Sequence, residues 1–424
     1  MGAHTEINPN RPIFALLAFC IILTPNIPIP GFFAVRLEQL LLALFGLSVV
    51  IMWVSGKRLV LRSWTFPLWL AGFGVCMLIA IGNGYRSGLP VVPNDFFEIA
   101  KTVMYPGFFI MASAVLVGKR DQLWGMQVVH GVLVVSALIA LTQFFNPWNM
   151  NAYYVPWMAP TQYAALMEGY TWPRVIGMAN NPNAYGFMAA LGVMLGMILL
   201  KLQRNPMYML TTVLMVTVLM MTRSRTAFVM LGVMLMVYIW LSLSRNRGRK
   251  GRISRLGGVL LALAGGIIFL TALLLLFPES LTWRFKEMFN LAESRSWQIR
   301  LRVWEEYFWM FMDHPLLGTG PVKAMPHRIP ADNEWLFLLK RYGLVGTIYF
   351  VAVFWTWVNR SWQLLMGHPA GRLYVSLLVG AAVYMIPASV FHSYQLMALV
   401  MIMGALANAS NLGPPGFEGS GGRG

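Results

Sequence analysis

Apolar stretches of about 20 residues recur from Ile13 to Ala409, separated by short polar breaks, and that is the length a helix needs to cross a hydrocarbon core. Such a pattern leaves a chain little choice. Lipid offers no partner for a backbone amide or carbonyl, so each crossing segment must pair its own, as a helix does. Helices are predicted near 13–29, 36–54, 65–82, 97–117, 123–145, 183–200, 206–221, 226–243, 257–277, 336–357, 373–390 and 393–409. The residue mix agrees: 58% hydrophobic and 11% charged, mean hydropathy +0.63, against roughly 25% charged in an ordinary soluble domain. The expected fold class is all-α, a polytopic membrane protein of about twelve transmembrane helices.

One transmembrane domain is expected over residues 1–410. The stretch 411–424, rich in glycine and proline, reads as a flexible tail and an expression remnant outside the fold. The first apolar run leads into Pro25, Pro28 and Pro30 with no small-residue cleavage site, so it is expected to stay as an anchor. Cys20 and Cys76 fall inside predicted helices, which supports neither a disulfide framework nor a metal cluster. Glu98 and Lys101 lie near the start of the fourth helix and Pro387 within the eleventh, where polar linings or kinks are expected.

The net charge of +17 would suit a nucleic-acid binder, but the basic residues sit in short clusters between apolar spans, so no nucleic-acid partner is expected. Alternate loops carry Lys57, Arg58 and Arg62, then Lys119 and Arg120, then Lys201 and Arg204, then Arg245 to Arg252 with Arg255. The positive-inside rule puts these loops, and both termini, in the cytoplasm. The opposite side should be poor in cations, yet it holds Arg174, Arg223, Arg225, Arg284, Lys286, Arg295, Arg300, Arg302, Lys323 and Arg328. Long translocated loops are partly exempt from the rule, so some of these are plain solvated charges. Two outer loops are large, about 146–182 and about 278–335. The second is a large periplasmic insertion between helices nine and ten, with short helices of its own. It carries Trp283, Trp297, Trp304, Tyr307, Phe308 and Trp309, a composition for packing or interfacial contact. No internal repeat is visible, which counts against a transporter built from inverted halves.

Several short elements are candidates for chemistry. Thr222-Arg-Ser-Arg225 falls where one span ends and the next begins, and an arginine at that boundary is expensive unless matched by an anion or a wet cavity. Ile299-Arg-Leu-Arg-Val-Trp304 opens an amphipathic helix on the outer surface. Arg300 and Arg302 lie about 200° apart around it, so they cannot both face one ligand. His314-Pro-Leu-Leu-Gly-Thr-Gly320 supplies a breaker and two glycines for a turn. Asp332 or Asn333 is a natural N-cap for the tenth helix, and Asp332 or Glu334 is a carboxylate at a helix end, able to accept a proton. The four aspartates, at 95, 121, 313 and 332, include no Asp-x-Asp pair. Phosphate charge is therefore expected to be met by arginine, whose planar fork suits it, and not by a metal.

Four of these segments, in this order, resemble the bacterial O-antigen ligase and Wzy-type polymerase superfamily: Arg174-Val-Ile-Gly-Met-Ala-Asn-Asn-Pro-Asn-Ala-Tyr-Gly186; Thr222-Arg-Ser-Arg-Thr-Ala227; Arg300 to Trp304 through Pro315 to Gly320; and Asp332-Asn-Glu-Trp-Leu through Gly343-Leu-Val-Gly346. The resemblance implies a metal-independent, cofactor-free, inverting glycosyltransferase of the bacterial inner membrane. Its donor would be an undecaprenyl-pyrophosphate-linked glycan, used at the periplasmic face. Arg225 and Arg300 match the arginines that handle the pyrophosphate, with Arg174 and Arg223 as further donors to it. Asp332 stands where ligases place a histidine as the presumed base, and His327 lies five residues upstream. That difference favours a polymerase of O-antigen or exopolysaccharide repeat units over a ligase to lipid A core. Asn333, Glu334, His327, Arg302 and Asn183 are expected on the acceptor side or in secondary roles. Partners implied are the lipid-linked donor, a lipid-linked glycan or lipid A core acceptor, membrane lipid and a chain-length regulator. A lipid-linked sugar transporter or flippase is the alternative from another class.

Overall fold

The computed structural model describes residues 10–25, 27, 35–55, 65–159, 162, 163, 166, 173–245, 295–325 and 332–409. Among them are thirteen α-helices: α1 (Arg11–Leu23), α2 (Leu37–Val54), α3 (Thr65–Arg86), α4 (Pro93–Val115), α5 (Gly118–Phe145), α6 (Asn151–Met158), α7 (Pro182–Gln203), α8 (Met207–Thr222), α9 (Arg225–Arg245), α10 (Arg295–Asp313), α11 (Glu334–Leu365), α12 (Pro369–Tyr384) and α13 (Tyr394–Asn408). Each predicted span overlaps one of them except 257–277, which lies outside the described residues, as do 278–294 and 326–331. Five helices, α2, α5, α7, α9 and α11, are long and apolar enough to cross a membrane.

Helix ends follow local chemistry. Asn181 caps α7, its Oδ1 accepting from the Ala184 amide at 2.8 Å, with Pro182 at the first helical position. Two ends differ from expectation. The first helix stops at Leu23, where Thr24 is its C-cap, instead of running to 29. The helix expected to contain Pro387 ends at Tyr384, since proline lacks the amide that would continue it; the chain bends through 385–393 before α13.

The centre of the bundle is α13, buried from Gln395 to Ala407, together with α7 and α12. At the periphery, α2 buries only Glu38 and exposes Leu40, Leu44, Leu47, Ile51 and Trp53. A helix with that much apolar surface outward is solvated by lipid. Buried polar side chains tie the helices to one another. The Gln122 amide donates to the carbonyls of Leu406 and Ala407, His130 bonds Thr211 at 2.9 Å, and Arg11 pairs with Asp121 at 2.7 Å.

Candidate functional site

The segment 174–181 enters the bundle by way of one glutamine. Gln143, fully buried near the end of α5, accepts from the amides of Ile176 and Gly177 at 2.9 and 2.8 Å and donates to the Gly177 carbonyl at 2.6 Å. Gly177 has φ +52°, and the Tyr185 ring occupies the space a Cβ would need. Beyond it, the Val175 amide reaches the Met221 carbonyl at 3.3 Å. Arg174 is thereby laid across two helix ends. Its Nε donates to the Thr222 carbonyl at 3.0 Å and its Nη2 to Asn183 Oδ1 at 3.2 Å.

The turn it grips is Thr222-Arg-Ser-Arg225. Arg223 adopts a left-handed conformation, φ +52°, which ends α8. The Ser224 amide then donates to Thr222 Oγ1 at 3.2 Å, and α9 starts at Arg225. Gly186 lets α7 approach this turn closely, because a Cβ there would run into Ala227 and Ser224. Arg223 is nearly buried and Arg225 half-buried. Arg225 thus occupies the first turn of a helix, where the amide dipoles also favour an anion.

Arg300 comes from α10, which packs on the start of α11 through Val303 and Tyr307 against Leu336 and Phe337. It is half-buried, and its Nη2 stands 3.4 Å from Asp332 Oδ2. Arg302 is exposed, as two positions on an amphipathic helix separated by two residues require.

The Pro315–Gly320 segment and the Gly343 segment, separate motifs in the sequence, bind one another. The amides of Leu344 and Val345 donate to the carbonyls of Pro315 and Leu316 at 2.8 and 3.1 Å, and the Gly320 amide donates to the Arg341 carbonyl at 2.7 Å. These bonds need a break in α11, which Gly343 supplies with φ +60°, ψ −167°. A Cβ on Gly343 would strike the Leu316 backbone and one on Gly318 the Arg341 backbone. Asn83 adds a bond from α3 to the Gly318 carbonyl at 2.7 Å.

Of the two N-cap candidates for α11, Asn333 takes the role, accepting from Leu336 at 3.1 Å. Asp332, relieved of capping, keeps its side chain half exposed and paired with Arg300. Glu334 is different. It is fully buried, with Oε2 accepting from the amides of Val390 and Phe391 at 2.8 and 3.1 Å and Oε1 bonded to His392 Nδ1. Its lone pairs hold the 385–392 bend onto the head of α11.

One further group was not singled out in the sequence. Tyr384, the last residue of α12, is 1% exposed and packs edge-on against Phe187 at 5.2 Å. Its hydroxyl lies within electrostatic range of Asp332, Arg174 and Arg300. Arg300 and Asp332, from two separate segments, therefore meet directly, and Arg225 is joined to Arg174 through the turn that Arg174 holds. His327 lies outside the described residues. Among those described, no three histidine, cysteine or acidic side chains group as a metal ion would need.

Comparison with known families matches residues 210–351 to the family described as O-antigen ligase. The matched stretch runs from α8 through Arg225, Arg300 and Asp332 into α11; Arg174, Asn183 and Tyr384 lie outside it. Comparison with curated proteins gives no match.

Proposed function

We propose that this multi-pass membrane protein, similar over residues 210–351 to the O-antigen ligase family, is a polymerase of lipid-linked glycan repeat units. Its site would face the periplasm from the inner membrane. The observation that carries this reading is the Arg300–Asp332 pair at 3.4 Å, with Arg174 gripping the turn from which the Arg225 helix starts.

Three guanidinium groups suit a diphosphate leaving group. As the bond from the anomeric carbon to the phosphate oxygen breaks, Arg225, Arg300 and Arg174 take up the charge that develops on the departing oxygen. The acceptor hydroxyl attacks from the opposite face of the sugar and passes its proton to Asp332, which inverts the configuration at that carbon. The Arg300–Asp332 pair gives this an order of events. A half-exposed ion pair is worth little, so an arriving diphosphate can take Arg300 and leave Asp332 as a base.

A ligase acting on lipid A core is the second reading, favoured by the description of the matched family; the aspartate at position 332 favours the polymerase. Incubation of purified protein with a defined undecaprenyl-pyrophosphate-linked repeat unit, with and without lipid A core, followed by product sizing, separates them. A ladder of lengthened carrier-linked glycan without core supports the polymerase. Glycan joined only to core supports the ligase, and unchanged starting lipid in both reactions defeats the reading.

A further inference from the structure

A second group of cations lies at the same end of the bundle, apart from the Arg300–Asp332 pair. Lys101 of α4, Lys323 after the Pro315–Gly320 turn and Arg341 of α11 converge on Glu98. Lys323 Nζ is 2.7 Å from Glu98 Oε1, Lys101 Nζ is 2.9 Å from Oε2, and Arg341 Nη1 is 4.0 Å from Oε1. The formal charges of Asp95, Glu98 and Glu334 balance these three, and Lys340, adjacent to Arg341, leaves one positive charge over. Acceptors are in shorter supply than charge. Asp95 spends its two oxygens on the amides of Val92 and Lys323, and Glu334 spends its own on the 390–392 bend. Among the described residues, the two ammonium groups and the guanidinium, with three and five donors respectively, face Glu98, the His392 carbonyl at 3.3 Å from Lys101 and, for Arg341, the Phe337 ring at 3.8 Å. Arg341 Nη1 and His392 Nε2 are buried and make no hydrogen bond among the described residues.

A buried guanidinium nitrogen without a hydrogen bond is costly, and three cations converging on one carboxylate fit a ligand rich in acceptor oxygens. The Lys323 side chain is one-third exposed, so the cluster opens outward. Glu334 joins the two sites, touching His392 on one side and standing two residues from Asp332 on the other.

We propose that Lys101, Lys323 and Arg341 form a second phosphoryl site, which takes a phosphate group of a membrane-embedded lipid and so fixes the acceptor beside the donor held by Arg225 and Arg300. The assignment rests on the polymerase reading, in which both substrates are anchored by phosphorylated lipids. The source is either the carrier of the acceptor or a phospholipid headgroup.

The test is equilibrium binding of geranyl diphosphate to the purified full chain in detergent, with bound ligand counted per protein. Two classes of site are expected. Lys323→Gln should weaken one class about tenfold, as loss of a charge-assisted contact does, without moving the melting point, and Lys323→Arg should retain it. Arg300→Ala should remove the other class alone. Glu98→Gln should tighten the Lys323-dependent class, because its carboxylate competes for the same donors; a network serving the fold alone would only melt earlier. Phosphatidylglycerol added to the micelles that displaces this class assigns it to a headgroup, and lack of displacement assigns it to the carrier lipid. A single class, lost in Arg300→Ala and untouched in Lys323→Gln, overturns the second site and leaves the polymerase reading standing. No binding at all defeats both.

Discussion

Arg300 and Asp332, thirty-two residues apart in the chain, hold each other at 3.4 Å across the gap between α10 and the head of α11. Each is the other's ion-pair partner among the described residues. Release of this pair by a diphosphate is the event on which the proposed chemistry turns.

Removing either leading guanidinium should stop synthesis. Arg225→Ala and Arg300→Ala are each expected to abolish polymer in cells while the protein remains in the membrane at ordinary levels. Polysaccharide of normal length from both variants would show that the diphosphate is held elsewhere.

Asp332 and Glu334 should part company when each is neutralised. Asp332→Asn is expected to lower turnover by about 100-fold or more, the scale of a lost general base, with melting unchanged because the side chain is half exposed. Glu334→Gln disturbs a buried carboxylate bonded to two amides and His392, and is expected to cost about 3 kcal/mol of stability. Melting curves in detergent alongside turnover decide this, and an Asp332→Asn protein that melts early would recast Asp332 as structural.

Tyr384→Phe deletes one buried hydroxyl on which the charges of Asp332, Arg174 and Arg300 act. The ring and its contact with Phe187 stay, so the protein should fold normally, and turnover should fall about tenfold with the loss of one hydrogen-bonding group from the site. Unchanged turnover would leave the phenol as packing only.

Gly343→Ala should damage the joint between α11 and the Pro315–Gly320 turn. A side chain there is strained at φ +60° and collides with the Leu316 backbone, a cost of about 1–3 kcal/mol. Lower thermal stability with helix content preserved is the expected result by circular dichroism. Wild-type melting would mean that the break in α11 does not need glycine.

Gln143→Leu keeps the side-chain volume close and removes every bond to Ile176 and Gly177. Arg174 should then lose its fixed placement, so the Michaelis constant for the donor is expected to rise more than turnover falls. A change confined to stability would detach Gln143 from the site.

The spans were legible because hydropathy is a local property: a stretch such as Pro182–Gln203 declares itself from its own residues. Arg174, Arg225 and Arg300 stood out as anomalies, cations on a side where the orientation rule expects few, and Asp332 as a carboxylate at a helix start. Tyr384 and Gln143 gave no such signal, since a tyrosine at a helix end and a glutamine in an apolar run are ordinary until their neighbours are known. Glu334 hid its partners for the same reason. Its carboxylate looked available at a helix start, and only the return of the chain at 390–392 revealed its partners.

By itself, then, the sequence determined that this chain is helical and belongs in lipid, because burial of apolar side chains and the cost of unpaired backbone in lipid act on each segment separately. Which charges meet was decided only by tertiary structure. Arg174 reaches the Thr222 carbonyl, and the Gly320 amide reaches that of Arg341, because packed helices fix the relative positions of segments that no local rule relates, and a hydrogen bond tolerates only a few tenths of an ångström.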